Sequence, residues 1–225
     1  MKIDSLIANI FILLGLFVLC HALPLQATGI REAVFAGKFY PADPEQLHQQ
    51  IQGFLKEAQK ANIQTPAAKK LKALVMPHAG YIYSGRTAAH AARALADKHL
   101  AKVIIMGPDH RVGFRNGAVS NADAYETPLG QIDLHPDAAK LKSRFGFFRH
   151  VPASDQKEHS IEVILPFLQT KLSNFQMVPI VMGPGNIEQY AESINSIYDD
   201  TTLLVVSTDL SHYLSYAKAD RKSVV

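Results

Sequence analysis

The sequence predicts a single three-layer α/β/α domain built on a mostly parallel central sheet, and three observations predict it. The chain has 225 residues, 48% hydrophobic and 19% charged, which supplies one substantial core and excludes a disordered or collagen-like chain. From Arg31 onward, short apolar runs of strand character alternate with segments of helical period. Several of those runs are followed closely by a histidine, which puts polar chemistry beyond the carboxyl ends of parallel strands, where open α/β sheets bind ligands.

The elements follow in order. Lys2 precedes an apolar run from Leu6 to Cys20 and then His21-Ala22-Leu23-Pro24, whose small residues suit signal-peptide cleavage. The run is short of the roughly 20 residues that cross a bilayer core as a helix. Residues 1–22 therefore read as an export signal, with an uncleaved N-terminal anchor as the alternative. An exported, periplasmic or extracellular protein is expected, touching a membrane only through this segment. Cys20 is the only cysteine, so cleavage after Ala22 leaves no disulfide and no thiolate.

The domain is expected over residues 31–225. Asp43-Pro44 supplies a cap and a first-turn proline for a helix that buries Leu47, Ile51, Phe54, Leu55 and Ala58 and ends before Pro66. Residues 72–76 form a buried strand stopped by Pro77, followed by an alanine-rich helix from about Gly85 to Asp97. A second strand covers 102–106, closed by Gly107-Pro108. A third covers 176–182, closed by Gly183-Pro184, and Pro179 makes it the weakest of the strands. Glu158 to Leu172 reads as a helix with a kink or late start at Pro166. A helix from Ile187 to Ile197 then leads to a last strand over 203–207.

With 23 basic and 20 acidic residues scattered along the chain, the formal charge is only +3, and nothing calls for a nucleic-acid partner. Oligomeric state is not legible. The chemistry concentrates in histidine, of which the chain has 10. His78, His110 and His212 each follow a predicted strand within one short loop, so they converge if the strands are neighbours. Neutral imidazole is the commonest metal ligand, and two imidazoles with one further ligand form an open zinc or non-haem iron site. A lone histidine after a strand is more often a hydrogen-bonded loop residue; three in equivalent settings shift that balance. His48, His90 and His99 read as surface or packing residues. Tyr81, Tyr83 and Tyr125 offer an aromatic wall or ordinary packing, and the Gly80 to Gly85 turn offers an anion site or a plain strand-to-helix connection.

Four ordered motifs carry a family resemblance: Pro77-His78-Ala79-Gly80-Tyr81-Ile82-Tyr83-Ser84-Gly85, Met106-Gly107-Pro108-Asp109-His110, Glu158-His159-Ser160-Ile161-Glu162, and Ser207-Thr208-Asp209-Leu210-Ser211-His212. Together with Arg31-Glu32-Ala33 and Ala36-Gly37-Lys38-Phe39-Tyr40-Pro41, they resemble the signatures of the Memo family, whose prokaryotic members are called AmmeMemoRadiSam system protein B. The resemblance implies the fold of class III extradiol dioxygenases. It makes His78 and His110 metal ligands, with iron or copper as the metal, and His212 the acid or base of the pocket. It also places His159 in the same cleft with Glu162 one turn on, and has Asp209 orient an imidazole. The family's third ligand is a cysteine near its C-terminus with no counterpart here, so the closing part of the fold is expected to be missing and the metal weakly held. Asp109 is the nearest oxygen donor in sequence.

Two function classes follow. One is a metal-dependent, dioxygenase-like activity on a small phenolic or diol-like substrate. The other is a non-catalytic module that binds a peptide or small anion in the same cleft. Metal-assisted hydrolysis ranks last, because it needs more carboxylates near these motifs than the sequence offers.

Overall fold

Nine strands of the computed structural model, which describes residues 29–61, 70–95 and 100–223, form two sheets. The predicted export signal lies outside the described residues, as does His99. No helix among the described residues is long and apolar enough to cross a membrane.

The strands are β1 (Ile30–Arg31), β2 (Ala73–Met76), β3 (Lys102–Pro108), β4 (Gly117–Ala118), β5 (Ala124–Thr127), β6 (Gly130–Asp133), β7 (Phe148–Arg149), β8 (Gln176–Met182) and β9 (Thr202–Ser207). The helices are α1 (Pro44–Gln59), α2 (Tyr81–Ala92), α3 (Asp137–Arg144), α4 (Pro152–Lys157), α5 (Leu165–Lys171), α6 (Ile187–Asn195) and α7 (Tyr216–Ser223), with a 3-10 turn at Glu162–Ile164.

The main sheet has the order β2-β9-β3-β8-β4-β7, with every pair parallel except β8 with β4. The last strand in sequence therefore inserts between β2 and β3. Side-chain alternation along β3 explains the layers. Val103 and Ile105 join the core formed with α1, α2 and α5, whereas Ile104 faces the core formed with α3 and α6. The predicted three-layer α/β/α architecture is present. The small sheet β1-β5-β6 lacked a sequence signal, because its short strands carry no sustained alternation.

Local chemistry accounts for the helix starts. The Asp43 carboxylate accepts from Gln46 N at 2.8 Å, and Asn186 does the same for Gln189 N at 2.9 Å at the start of α6. α2 begins at Tyr81, earlier than the expected Gly85. Gly85 is a helix-interior residue at a close approach, where an added Cβ would lie 2.4 Å from the Phe54 ring of α1. Pro179 does sit in a central strand. It pairs with Ile105 of β3, while on the other side β4 reaches only Val181 and Met182, so the missing N–H breaks no ladder there.

Candidate metal centre

The register of β2, β9 and β3 builds the site. Met76 pairs with Ser207 on one flank of β9 and Val206 pairs with Met106 on the other, so the three strands end side by side. His78 leaves β2 buried to 1% exposure, with Nδ1 2.8 Å from the Ser207 hydroxyl. His110 follows β3, with Nδ1 3.0 Å from Glu158 Oε1. His159 arrives from the turn between α4 and the 3-10 segment, not from inside a helix as the sequence suggested.

These three rings meet. Their centroids are 5.1 Å apart for His78 and His110, 5.5 Å for His78 and His159, and 4.6 Å for His110 and His159. One nitrogen from each lies within 4.8 Å of the others, an arrangement that could hold a metal ion. His78 Nε2 and His159 Nδ1 are buried without a hydrogen-bond partner. The His159 nitrogen lies 3.2 Å from Glu158 Oε1, but off the line a hydrogen bond needs.

His159, expected in the same cleft, joins His78 and His110 in the cluster, whereas His212 lines the adjoining cleft from its rim with its side chain 52% exposed. Asp209 links the rim to the cluster: its Oδ2 is 3.3 Å from His212 Nε2 and 3.8 Å from His78 Nε2. Its Oδ1 accepts the backbone N–H of His78 at 2.6 Å and of Ala79 at 3.0 Å. Asp209 thus holds the backbone at His78 and Ala79 in place. The His212 loop holds two non-glycine residues in the left-handed region, Leu210 at φ 60° and Tyr213 at φ 54°, a conformation that needs support from its surroundings.

Glu158 is the residue that sequence reasoning missed. Its Oε1 accepts from His110 Nδ1 and from the backbone N–H of His159 and Ser160, both at 2.8 Å, and its Oε2 accepts from His110 N at 2.6 Å. The available signal was a carboxylate directly before a histidine. Burial pushes the Glu158 carboxyl upward, yet the hydrogen bonds from His110 and Ser160 outweigh it and hold the group below its ordinary value. Burial lowers His78, against the pull of Asp209. Burial also lowers His159 to about 4, opposed by Glu158 and reinforced by the neighbouring imidazoles.

Other expected residues lie elsewhere. Glu162 turns away from the cleft into a buried group, where it pairs with Arg31 and accepts from Tyr40 Oη at 2.6 Å and Phe35 N at 2.7 Å. Arg31 in turn donates to the Glu158 carbonyl at 2.9 Å, bracing the His159 turn from behind. Asp109 caps its own loop by accepting from the N–H groups of Arg111, Val112 and Gly113, so it is not aimed at the cluster. Tyr125 is buried beside Arg31 and Asp155, away from the cleft.

Beside the imidazoles lies a cleft of about 530 Å³ lined by Phe39, Tyr40, Tyr81, His159, Asp209 and His212, among others. Phe39 packs on His159 with ring centroids 4.7 Å apart. Tyr81 and Tyr83 line the cleft as expected, although the Tyr81 hydroxyl is spent on the Val163 carbonyl and Tyr83 is largely exposed. His48 and His90 are surface residues.

An α/β/α domain with three imidazoles at the carboxyl edge of its parallel strands is a histidine-centred fold with a metal-competent site. The chain matches the family described as Memo-like protein over residues 31–223. It is 32% identical over 205 residues to a MEMO1 family protein of Nitrosopumilus maritimus, covering 87% of this chain and 74% of that one. Protein MEMO1 of Danio rerio is 35% identical over 192 residues, covering 81% and 63%, and a MEMO1 family protein of Methanopyrus kandleri is 34% identical over 211 residues, covering 85% and 72%. The chain thus spans less than two thirds of the Danio rerio protein's length. It belongs to the Memo family.

Proposed function

We propose that this chain holds an iron or copper ion through His78, His110 and His159, and that the adjoining cleft admits a small phenolic or diol-like ligand for a dioxygen-dependent reaction. One observation carries the reading: three imidazoles offer a nitrogen each within 4.8 Å, and two ring nitrogens there are buried without a partner. A bare polar atom in the interior costs about 1–3 kcal/mol, and a shared cation satisfies several lone pairs at once. Burial keeps His78 and His159 neutral near pH 7, the state that ligation requires. Such an ion supplies Lewis acidity and a one-electron redox couple at the cleft.

The protein's own groups do the rest. Phe39, packed at a tilt against His159, gives a planar ligand an apolar face. His212, half exposed beside Asp209, takes the proton of a phenolic hydroxyl and passes it to solvent or product, and the Asp209 carboxylate stabilises the imidazolium that forms. The apolar segment of residues 1–22 supports action outside the cytoplasm.

Metal analysis of the purified chain tests the reading. Bound iron or copper, lost on His78→Ala or His110→Ala, is the expected result, and metal content indifferent to both substitutions overturns it. Oxygen uptake with catechols should stop on His212→Ala while the metal stays bound. Ligand binding that is indifferent to chelator, without turnover, would instead favour a peptide- or anion-binding module.

A further inference from the structure

We infer that Ser207 and Glu158 are positioning residues that lock His78 and His110 in the Nδ1–H tautomer, so that both rings present Nε2 lone pairs. This deepens the metal-binding reading and rests on it for its purpose.

Chemistry forces the direction of each hydrogen bond. The Ser207 hydroxyl has one proton and contacts the Ser160 carbonyl, which can only accept. That proton goes to Ser160. Toward His78 Nδ1, 2.8 Å away, Ser207 is therefore the acceptor, and His78 Nδ1 carries the hydrogen. The lone pair then resides on Nε2, the atom found buried and unpartnered. On the other side, the Glu158 carboxylate accepts from three backbone N–H groups and from the His110 ring, and has no proton to donate. His110 Nδ1 is likewise the donor, which leaves its lone pair on Nε2.

One residue joins the two locks. The Ser160 N–H donates to Glu158 Oε1 at 2.8 Å, its carbonyl receives the Ser207 proton, and its own hydroxyl donates to the Pro108 carbonyl at 2.9 Å. The exits of β3 and β9 are thereby tied through the turn that carries His159. A serine buried only for packing would leave the ring tautomers undetermined; a serine whose proton is already committed does not.

Long-range ¹H–¹⁵N correlation spectra of the metal-free full chain above pH 7 read the tautomers directly. His78 and His110 should each show a protonated Nδ1 and a bare Nε2. On Ser207→Ala, His78 should move to a tautomer mixture while His110 is unchanged, and cobalt(II) added alone should bind about 10- to 100-fold more weakly. Ser207→Thr keeps the hydroxyl and should restore both. A wild-type His78 protonated at Nε2, or an unchanged His78 in Ser207→Ala, overturns the inference. Rings in the expected tautomers that take up no cobalt, iron or copper would sustain the lock and defeat the metal-binding reading. Metal uptake by wrongly protonated rings would do the reverse.

Discussion

The two ends of β3 carry buried polar clusters of opposite character. At its amino end, Lys102 is 4% exposed, and its Nζ donates to Asp137 Oδ2 at 2.9 Å, Asp199 Oδ2 at 2.8 Å and the Ile197 carbonyl at 2.6 Å. Every donor position of that ammonium is filled, and Asp137 is further paired with Lys140. At its carboxyl end, His110 belongs to a cluster whose His78 Nε2 and His159 Nδ1 have no partner. A closed cluster ties elements together, here β3 to α3 and to the approach of β9. An open one keeps binding capacity in reserve and gives up stability to do so.

The largest effect should come from breaking the closed cluster. Lys102→Met leaves the Asp137 carboxylate, 5% exposed, without its buried cation, and should lower folding stability by about 3–5 kcal/mol in urea denaturation. Metal binding per folded molecule should be unchanged, since the histidine cluster lies at the opposite end of the strand. Loss of metal affinity equal to the loss of stability would show that the two ends are not independent.

Acid should open the difference further. The rings of His78 and His159 are held neutral when folded, whereas unfolded imidazoles take up protons below about pH 6.5. In that window the unfolded chain binds more protons, so stability falls as pH drops from about 6.5 toward the His159 value of about 4. The loss should be about 2–3 kcal/mol for His159, and His159→Gln should flatten the slope. At the Lys102 end the carboxylates should hold through this range: burial raises Asp137, but hydrogen bonds from Lys140 and Lys102 outweigh it, and Lys102 likewise holds Asp199 below its ordinary value, so their contribution is lost only in stronger acid. His135, 3.2 Å from Asp137 and also lowered by burial, adds a loss of the same sign as the His78 and His159 rings.

Two smaller tests sharpen the contrast. Gly107→Ala places a Cβ 2.6 Å from Ser160 Oγ, against the turn that carries His159. It should cost about 1–3 kcal/mol and weaken metal uptake as well, which Lys102→Met should not. Asp43→Ala removes only the α1 cap and should cost about 1 kcal/mol by thermal melting, with the site untouched.

Local signals made much of this legible. The strands around 72–76, 102–106, 176–182 and 203–207 were readable as apolar runs, α1 announced itself by Asp43, and the helix expected from Ile187 is α6. The four motifs pointed to the family and to His78 and His110. Glu158 was hidden because its role consists of four hydrogen bonds made in three dimensions, three of them to backbone that any residue supplies. The resemblance set Glu162 one turn on from His159 in the cleft, but a motif does not tell which neighbours an element meets, and here they are Arg31 and Tyr40.

The order of apolar and polar residues by itself determined a three-layer domain with imidazoles at the strand exits, because period, capping and chain-breaking residues act over a few positions. Which imidazoles meet was decided only by tertiary structure. Insertion of β9 between β2 and β3 sets Ser207 against His78 and leaves His212 on a rim loop, while a turn braced by Arg31 and Glu158 delivers His159 into the space between the rings. Convergence of this kind depends on strand order and on contacts across more than a hundred residues, which no local pattern encodes.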